Sequence, residues 1–152
     1  MTSTSAYVPA HADDMPYSFD WTPEFSRRAR GVTVYAALRQ LGRAGLADLV
    51  DRCCDHARLV ADRLAAEPDI DIVNDVVLNQ VLVRFGDDDA LTRAVIEQVQ
   101  RDGTCWLAGS TFRGRFVMRI SIVGWQTTAD DVHRSADAII TAAQQVHSSR
   151  PQ

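Results

Sequence analysis

A chain of 152 residues with 46% hydrophobic and 24% charged residues has the composition of one soluble globular domain able to bury a core. The formal net charge of -4 speaks against a nucleic-acid binder, and no apolar run is long enough to cross a bilayer. All 16 basic residues are arginine, so chemistry that needs a lysine amine, a Schiff base above all, has no group to run on here.

The N-terminus lacks the basic-then-apolar pattern of a signal peptide. Cys53, Cys54 and Cys105 make neither a disulfide framework nor a zinc spacing, and they read as reduced thiols of a cytoplasmic protein. Residues 1–20 show no sustained period and carry Pro9, Pro16 and Asp13-Asp14, which predicts an irregular arm. A first helix is expected from about Thr22-Pro23-Glu24 to Gly42, with Thr22 as N-cap and Phe25, Ala29, Val32, Ala36 and Leu38 on one face. Gly42 and Gly45 punctuate the break to a second helix over 46–66. Its stripe is Leu46, Leu49, Val50, Cys53, Ala57, Val60 and Leu64.

Pro68 closes that helix. Residues 69–73 alternate as a short strand, Asn74-Asp75 turns, and residues 78–85 read as a second strand. Gly86-Asp87-Asp88-Asp89 supplies a turn and an N-cap for a helix over 90–101, which Asp102-Gly103 ends. Residues 104–123 read as two strands joined at Arg113-Gly114, and Thr127-Thr128 caps a last helix on Val132, Ala136, Ile139, Ile140 and Ala143. Residues 147–152 are expected to fray. Two helices followed by β-β-α-β-β-α predict an α+β layer, an antiparallel sheet with helices packed on one face.

The 104–123 hairpin holds the residue that asks for a function. Phe116, Met118, Ile120 and Ile122 share one face, Val117, Arg119 and Ser121 the other. Arg119 is thus a guanidinium inside a strand that otherwise looks buried. Either it reaches solvent or an acid, or its planar two-donor fork clamps a carboxylate. Arg27, Arg28 and Arg30 oppose a helix macrodipole, which Glu24 or an acidic partner surface would offset, and they read as a solvated face rather than an anion site. His11, Asp13 and Asp14 lack a second cluster to complete a metal shell. His56, His133 and His147 read as surface residues, Cys105 as a packed small hydrophobe, and Trp21, Trp106 and Trp125 as packing.

The ordered set Ala6-Tyr-Val-Pro-Ala-His11, Asp20-Trp-Thr-Pro-Glu-Phe-Ser-Arg-Arg-Ala-Arg30, Leu41-Gly-Arg-Ala-Gly-Leu46, Leu78-Asn-Gln-Val-Leu-Val-Arg-Phe85, Asp102-Gly-Thr-Cys-Trp106 and Arg113-Gly-Arg-Phe-Val-Met-Arg-Ile-Ser121 resembles the C-terminal portion of pyridoxal-phosphate-dependent group II decarboxylases. This group includes the aromatic-L-amino-acid and glutamate decarboxylases. The resemblance implies a fold type I parent, a dimer whose cofactor sits in a large α/β domain on a lysine that this chain lacks. Residues 1–20 then correspond to the mobile active-site loop, 21–66 to linking helices, 67–148 to the small C-terminal domain and 149–152 to a tail.

Residue by residue, the resemblance makes Tyr7 the loop tyrosine that returns a proton after carbon dioxide leaves, and Arg119 the anchor of the substrate carboxylate. Phe25 and Ser26 match a segment bordering the pocket from the partner subunit. The expectation is a decarboxylase fragment, aromatic in type and inactive alone, with pyridoxal phosphate and an amino-acid substrate belonging to the intact parent. Two other readings stand beside it. One is a stand-alone carboxylate-binding or dimerisation module; the other is a small subunit that complements a separately encoded large domain. In the fragment, without the large domain against which the first helix would lie, Phe25, Val32 and Tyr35 are expected to be uncovered and to promote self-association.

Overall fold

The computed structural model describes residues 28–149. Its chain divides into two compact units at Leu41 and Gly42. Helix α1 (Arg30–Ala65) is broken at that division by Gly42, whose φ of 63° and ψ of -173° are reached cheaply only without a side chain. Gly45, expected to share the break, is helical. The expected helix start at Thr22 lies outside the described residues, and Arg28 and Ala29 are not helical.

In the first unit every described residue is exposed, and Val32 and Tyr35 stand 67% and 65% open. The second unit contains the core. From Cys53 onward α1 buries Cys53, Cys54, Ala57, Val60, Ala61 and Leu64 at threes and fours, as its periodicity predicts. The earlier part of the expected stripe does not follow. Leu46 and Val50 are 40% and 48% exposed, so the helix meets the core only over its C-terminal turns.

Strands β1 (Ile70–Ile72), β2 (Gln80–Phe85), β3 (Ala108–Phe112) and β4 (Arg115–Ser121) form one antiparallel sheet in the order β1-β2-β4-β3. The hairpin of β3 and β4 turns through Arg113 and Gly114, both at positive φ (50° and 77°), the backbone that a two-residue connection between twisted strands requires. Helix α2 (Asp89–Asp102) starts on Asp88, whose carboxylate accepts from the Ala90 amide. It stops at Gly103 in the left-handed conformation. Helix α3 (Ala129–Ser148) starts with Thr128 and Asp131 accepting reciprocally from each other's backbone amides.

Val81, Val83, Phe85 and Met118 of the sheet pack in one buried cluster with Leu64, Val95, Val99, Ala136 and Ile139 of the helices. The fold is therefore the α+β layer expected, with helices on one face of an antiparallel sheet. Phe116 packs closely over Gly109, where an added Cβ would lie 2.2 Å from the ring, and the Arg93 guanidinium of α2 lies over the same ring, 3.6 Å from its centroid. The packing reading fails for two tryptophans: Trp106 and Trp125 are 78% and 69% exposed, being outside the strand spans that alternate into the core. Among the described residues no helix is long and apolar enough to cross a membrane.

Candidate functional site

Arg119 sits mid-strand in β4, paired across to Leu82 of β2 and Ala108 of β3. Alternation places it with Val117 and Ser121 on the face away from the helices. Val117 is buried on that face, but Arg119 and Ser121 are exposed. The guanidinium is therefore hydrated, and the expectation of a buried charge in this strand is corrected. The residues beside it along and across the strands (Leu82, Ala108, Val117, Ser121) include no acid. None of the described residues hydrogen-bonds or ion-pairs with it. A guanidinium whose donors meet none of the described residues has the planar two-donor fork that a carboxylate can match.

The buried arginine of this sheet is Arg84, 1% exposed, which the sequence reading did not single out. The pairing of β2 with β4 ends at Val83 and Met118, one hydrogen-bonded rung short of Phe85 and Phe116. Side chains replace that rung. Asp89 accepts the Phe116 amide at 3.2 Å, Arg84 donates to the Phe116 carbonyl at 2.7 Å, and Thr92 accepts the Phe85 amide at 3.4 Å. Arg84 also donates to Asp89 at 2.6 Å and to the Asp87 carbonyl at 2.8 Å, leaving only its Nε without a partner among the described residues. The Arg84 hydrogen bond, aided by the Phe116 amide, holds the Asp89 carboxyl below the usual carboxylate range. A signal was available: an arginine between Val83 and Phe85, followed by three aspartates.

A cleft of about 250 Å³ opens beside Cys105, Trp106, Ile120, Val123, Ser135 and Ile139. Arg119 does not line it. Burial pushes the Cys105 thiol up, only partly offset by its hydrogen bond to Ser135, so it is a packed neutral group rather than a nucleophile, as expected. Cys53 and Cys54 are free and buried. His133 and His147 are exposed and His56 is half-buried.

Tyr7, Phe25 and Ser26 lie outside the described residues, as do Arg27, Glu24, Trp21 and the His11-Asp13-Asp14 group. Of the expected site residues, the described structure thus places Arg119 alone.

The four-stranded antiparallel layer with helices on one face matches the fold of one class of protein, the pyridoxal-phosphate-dependent decarboxylases, and most of the chain is similar in sequence to amino-acid decarboxylases. No protein-family model matches the chain. Histidine decarboxylase of Rattus norvegicus is 26% identical over 123 residues, which are 81% of this chain and 19% of that protein. L-2,4-diaminobutyrate decarboxylase of Rhizobium meliloti is 25% identical over 146 residues, 91% of this chain and 30% of that protein. A crystal structure of Oryza sativa TDC with PLP and tryptamine matches the fold with a TM-score of 0.73 at 19% identity, covering 83% of this chain and 29% of that one. The chain thus spans between 19% and 30% of the length of these relatives.

The residues present do not fit the cofactor of that class. Holding pyridoxal phosphate as an imine takes a lysine amine, and the chain has none. No step is assigned to that group in this chain.

Proposed function

We propose that the chain is the carboxylate-anchoring part of a pyridoxal-phosphate-dependent amino-acid decarboxylase, and that it is inactive without a cofactor-bearing domain. Arg119, exposed on the sheet and unpaired among the described residues, is the observation that carries this reading. The guanidinium binds the substrate carboxylate through two parallel N–H donors and so fixes how the amino acid lies against the cofactor of the other domain. Tyr7 is the proton donor to the substrate carbon after carbon dioxide leaves, and Phe25 and Ser26 border the pocket of the neighbouring subunit. In this reading residues 1–20 form the active-site loop, 21–66 the linking helices and 67–148 the small domain of a cytoplasmic enzyme that acts on aromatic amino acids.

The lack of lysine supports inactivity of the isolated chain, because no side-chain amine is present to hold the cofactor as an imine. The chain mixed with pyridoxal phosphate and an aromatic amino acid is expected to release no more carbon dioxide than the same mixture without protein. Release that depends on the chain overturns the inactive part of the reading. Calorimetric titration with the amino acid tests the anchor. Saturable heat lost in Arg119→Ala and kept in Arg119→Lys at weaker affinity supports it, whereas heat unchanged in Arg119→Ala sinks it.

The compact second unit, with its own buried core, favours a second reading as a module that binds carboxylates by itself or complements a separate large domain. Recovery of carbon dioxide release on adding a separately made cofactor domain separates complementation from simple binding.

A further inference from the structure

The two edges of the sheet are guarded very differently. β1 is three residues long, with exposed Asp71 at its middle and Asp69 just before it, the short charged edge that resists pairing with another chain. β3 is five residues long, Ala108-Gly-Ser-Thr-Phe112, with neither charge nor proline. Its pairing is fixed by the two-residue turn. Ala108, Ser110 and Phe112 exchange hydrogen bonds with Arg119, Val117 and Arg115 of β4, so the N–H and C=O groups of Gly109 and Thr111 point outward. The bonds on the other side of β4 agree with this phase, since Phe116 turns its amide and carbonyl toward Asp89 and Arg84. Gly109 and Thr111 are both exposed, and no described residue takes their outward groups.

We propose that the β3 edge is an interface between two copies of this chain, paired antiparallel about a two-fold axis through Ser110. In that register Gly109 of one copy faces Thr111 of the second, and each pair exchanges both of its N–H···O bonds. Every outward group of the strand is then satisfied on both sides by the same short sequence. Neighbouring registers waste groups. A shift centred on Gly109 sets Thr111 opposite Leu107, whose carbonyl is already taken by Gln100 at 2.9 Å.

Trp106 stands 78% exposed two residues before the strand, at the end of this edge, where it borders the cleft with Ile120 and Ile139. In the pair an exposed ring of about 150–250 Å² from each copy, added to the two strand backbones, would bring the contact toward the roughly 800 Å² per partner of a stable dimer. This interface does not depend on the carboxylate site, because Arg119 points from the neighbouring strand and keeps its donors free.

At the axis two Ser110 residues form a non-hydrogen-bonded pair with Cα atoms about 4.5 Å apart, so like charges placed there repel directly. Amide hydrogen exchange of the full chain, followed by NMR at low and high concentration, reads the edge itself rather than association elsewhere. The Gly109 and Thr111 amides, which bond to no described residue within one copy, are expected to slow by about tenfold or more as concentration rises. Ser110→Glu and Ser110→Lys each abolish that slowing, and an equal mixture of the two variants restores it. Free exchange of both amides at every concentration overturns the proposal. So does protection that persists unchanged in either single variant, or a mixture no more protected than its components.

Discussion

Arg84 shows what a single charge in a core demands. Its guanidinium is almost wholly out of water, and it is retained because three oxygens meet it: the Asp89 carboxylate and the carbonyls of Phe116 and Asp87. The same Asp89 receives the Phe116 amide, so one acid serves both a charge and a backbone donor. Replacing Arg84 by alanine leaves the Phe116 carbonyl unmet and a void in the sheet. A loss of about 3 kcal/mol or more in denaturant unfolding is expected, with the urea midpoint falling while the slope is kept. Asp89→Asn removes the counter-charge but leaves a side-chain oxygen to accept from Phe116. It should therefore cost less than Arg84→Ala in the same measurement, and the reverse order would contradict the account of the replaced rung.

Helix α3 is the element whose end is most fully specified. Thr128 accepts from the Asp131 amide at 3.2 Å, and Asp131 accepts from the Thr128 amide at 3.0 Å and its hydroxyl at 2.7 Å. Thr128's hydroxyl, then its amide, then Arg134 lower the Asp131 carboxyl from 3.8 to about 2. A carboxyl held more acidic in the folded chain than in the unfolded one stabilises at pH above the unfolded value. That contribution is lost as pH falls from near 4 through about 2. Thr128→Ala is expected to lose about 1 kcal/mol at neutral pH, seen as a fall of about 3–5 °C in Tm. It should also flatten the loss of stability between about pH 4 and about pH 2, because Asp131 returns toward its ordinary value. A neutral-pH loss with an unaltered acid limb would separate the cap from the titration.

Elements of this kind were legible in the sequence because their signals are local. Asp88 and Gly103 bracket α2, Arg113-Gly114 sets the hairpin, and Thr128 opens α3, each by chemistry within a few residues. Alternation likewise put Met118 inside and Arg119 across from it. What alternation could not supply was burial on the second face, where Val117 is enclosed and Arg119 two residues on is exposed. The Arg84 cluster escaped for a related reason: it depends on β2 and β4 parting one rung early, a relation between residues 32 apart in the chain. Trp106 and Trp125 were misjudged because hydrophobicity predicts packing only where an element carries the ring inward.

Across the whole chain, apolar surface is unevenly placed. The unit from residue 42 closes a core around Leu64, Val83, Met118 and Ile139, all at most 1% exposed, and contains every described strand. The unit ending at Leu41 offers Val32, Val34, Tyr35, Leu38 and Leu41 at exposures from 40% to 67%, with valines and leucines on more than one side of the helix. Helix propensity alone gives such a short segment little stability, since isolated helices of about 12–15 residues are marginal in water. Stable order there requires that its apolar residues meet another surface, and other copies of the chain supply one at high concentration. The full chain is therefore expected to form concentration-dependent assemblies beyond a dimer in light scattering. Replacing Val32, Tyr35 and Leu38 together by serine should reduce them while leaving the unfolding transition of the core in place, because those side chains contribute nothing to the buried cluster. A chain starting at Gly42 should unfold as cooperatively as the full one, with a Tm within about 3 °C. A large drop in Tm, or loss of a cooperative transition, would show that the first unit supports the core; a clean monomer of the full chain at high concentration would contradict both its exposed helix and its exposed strand edge.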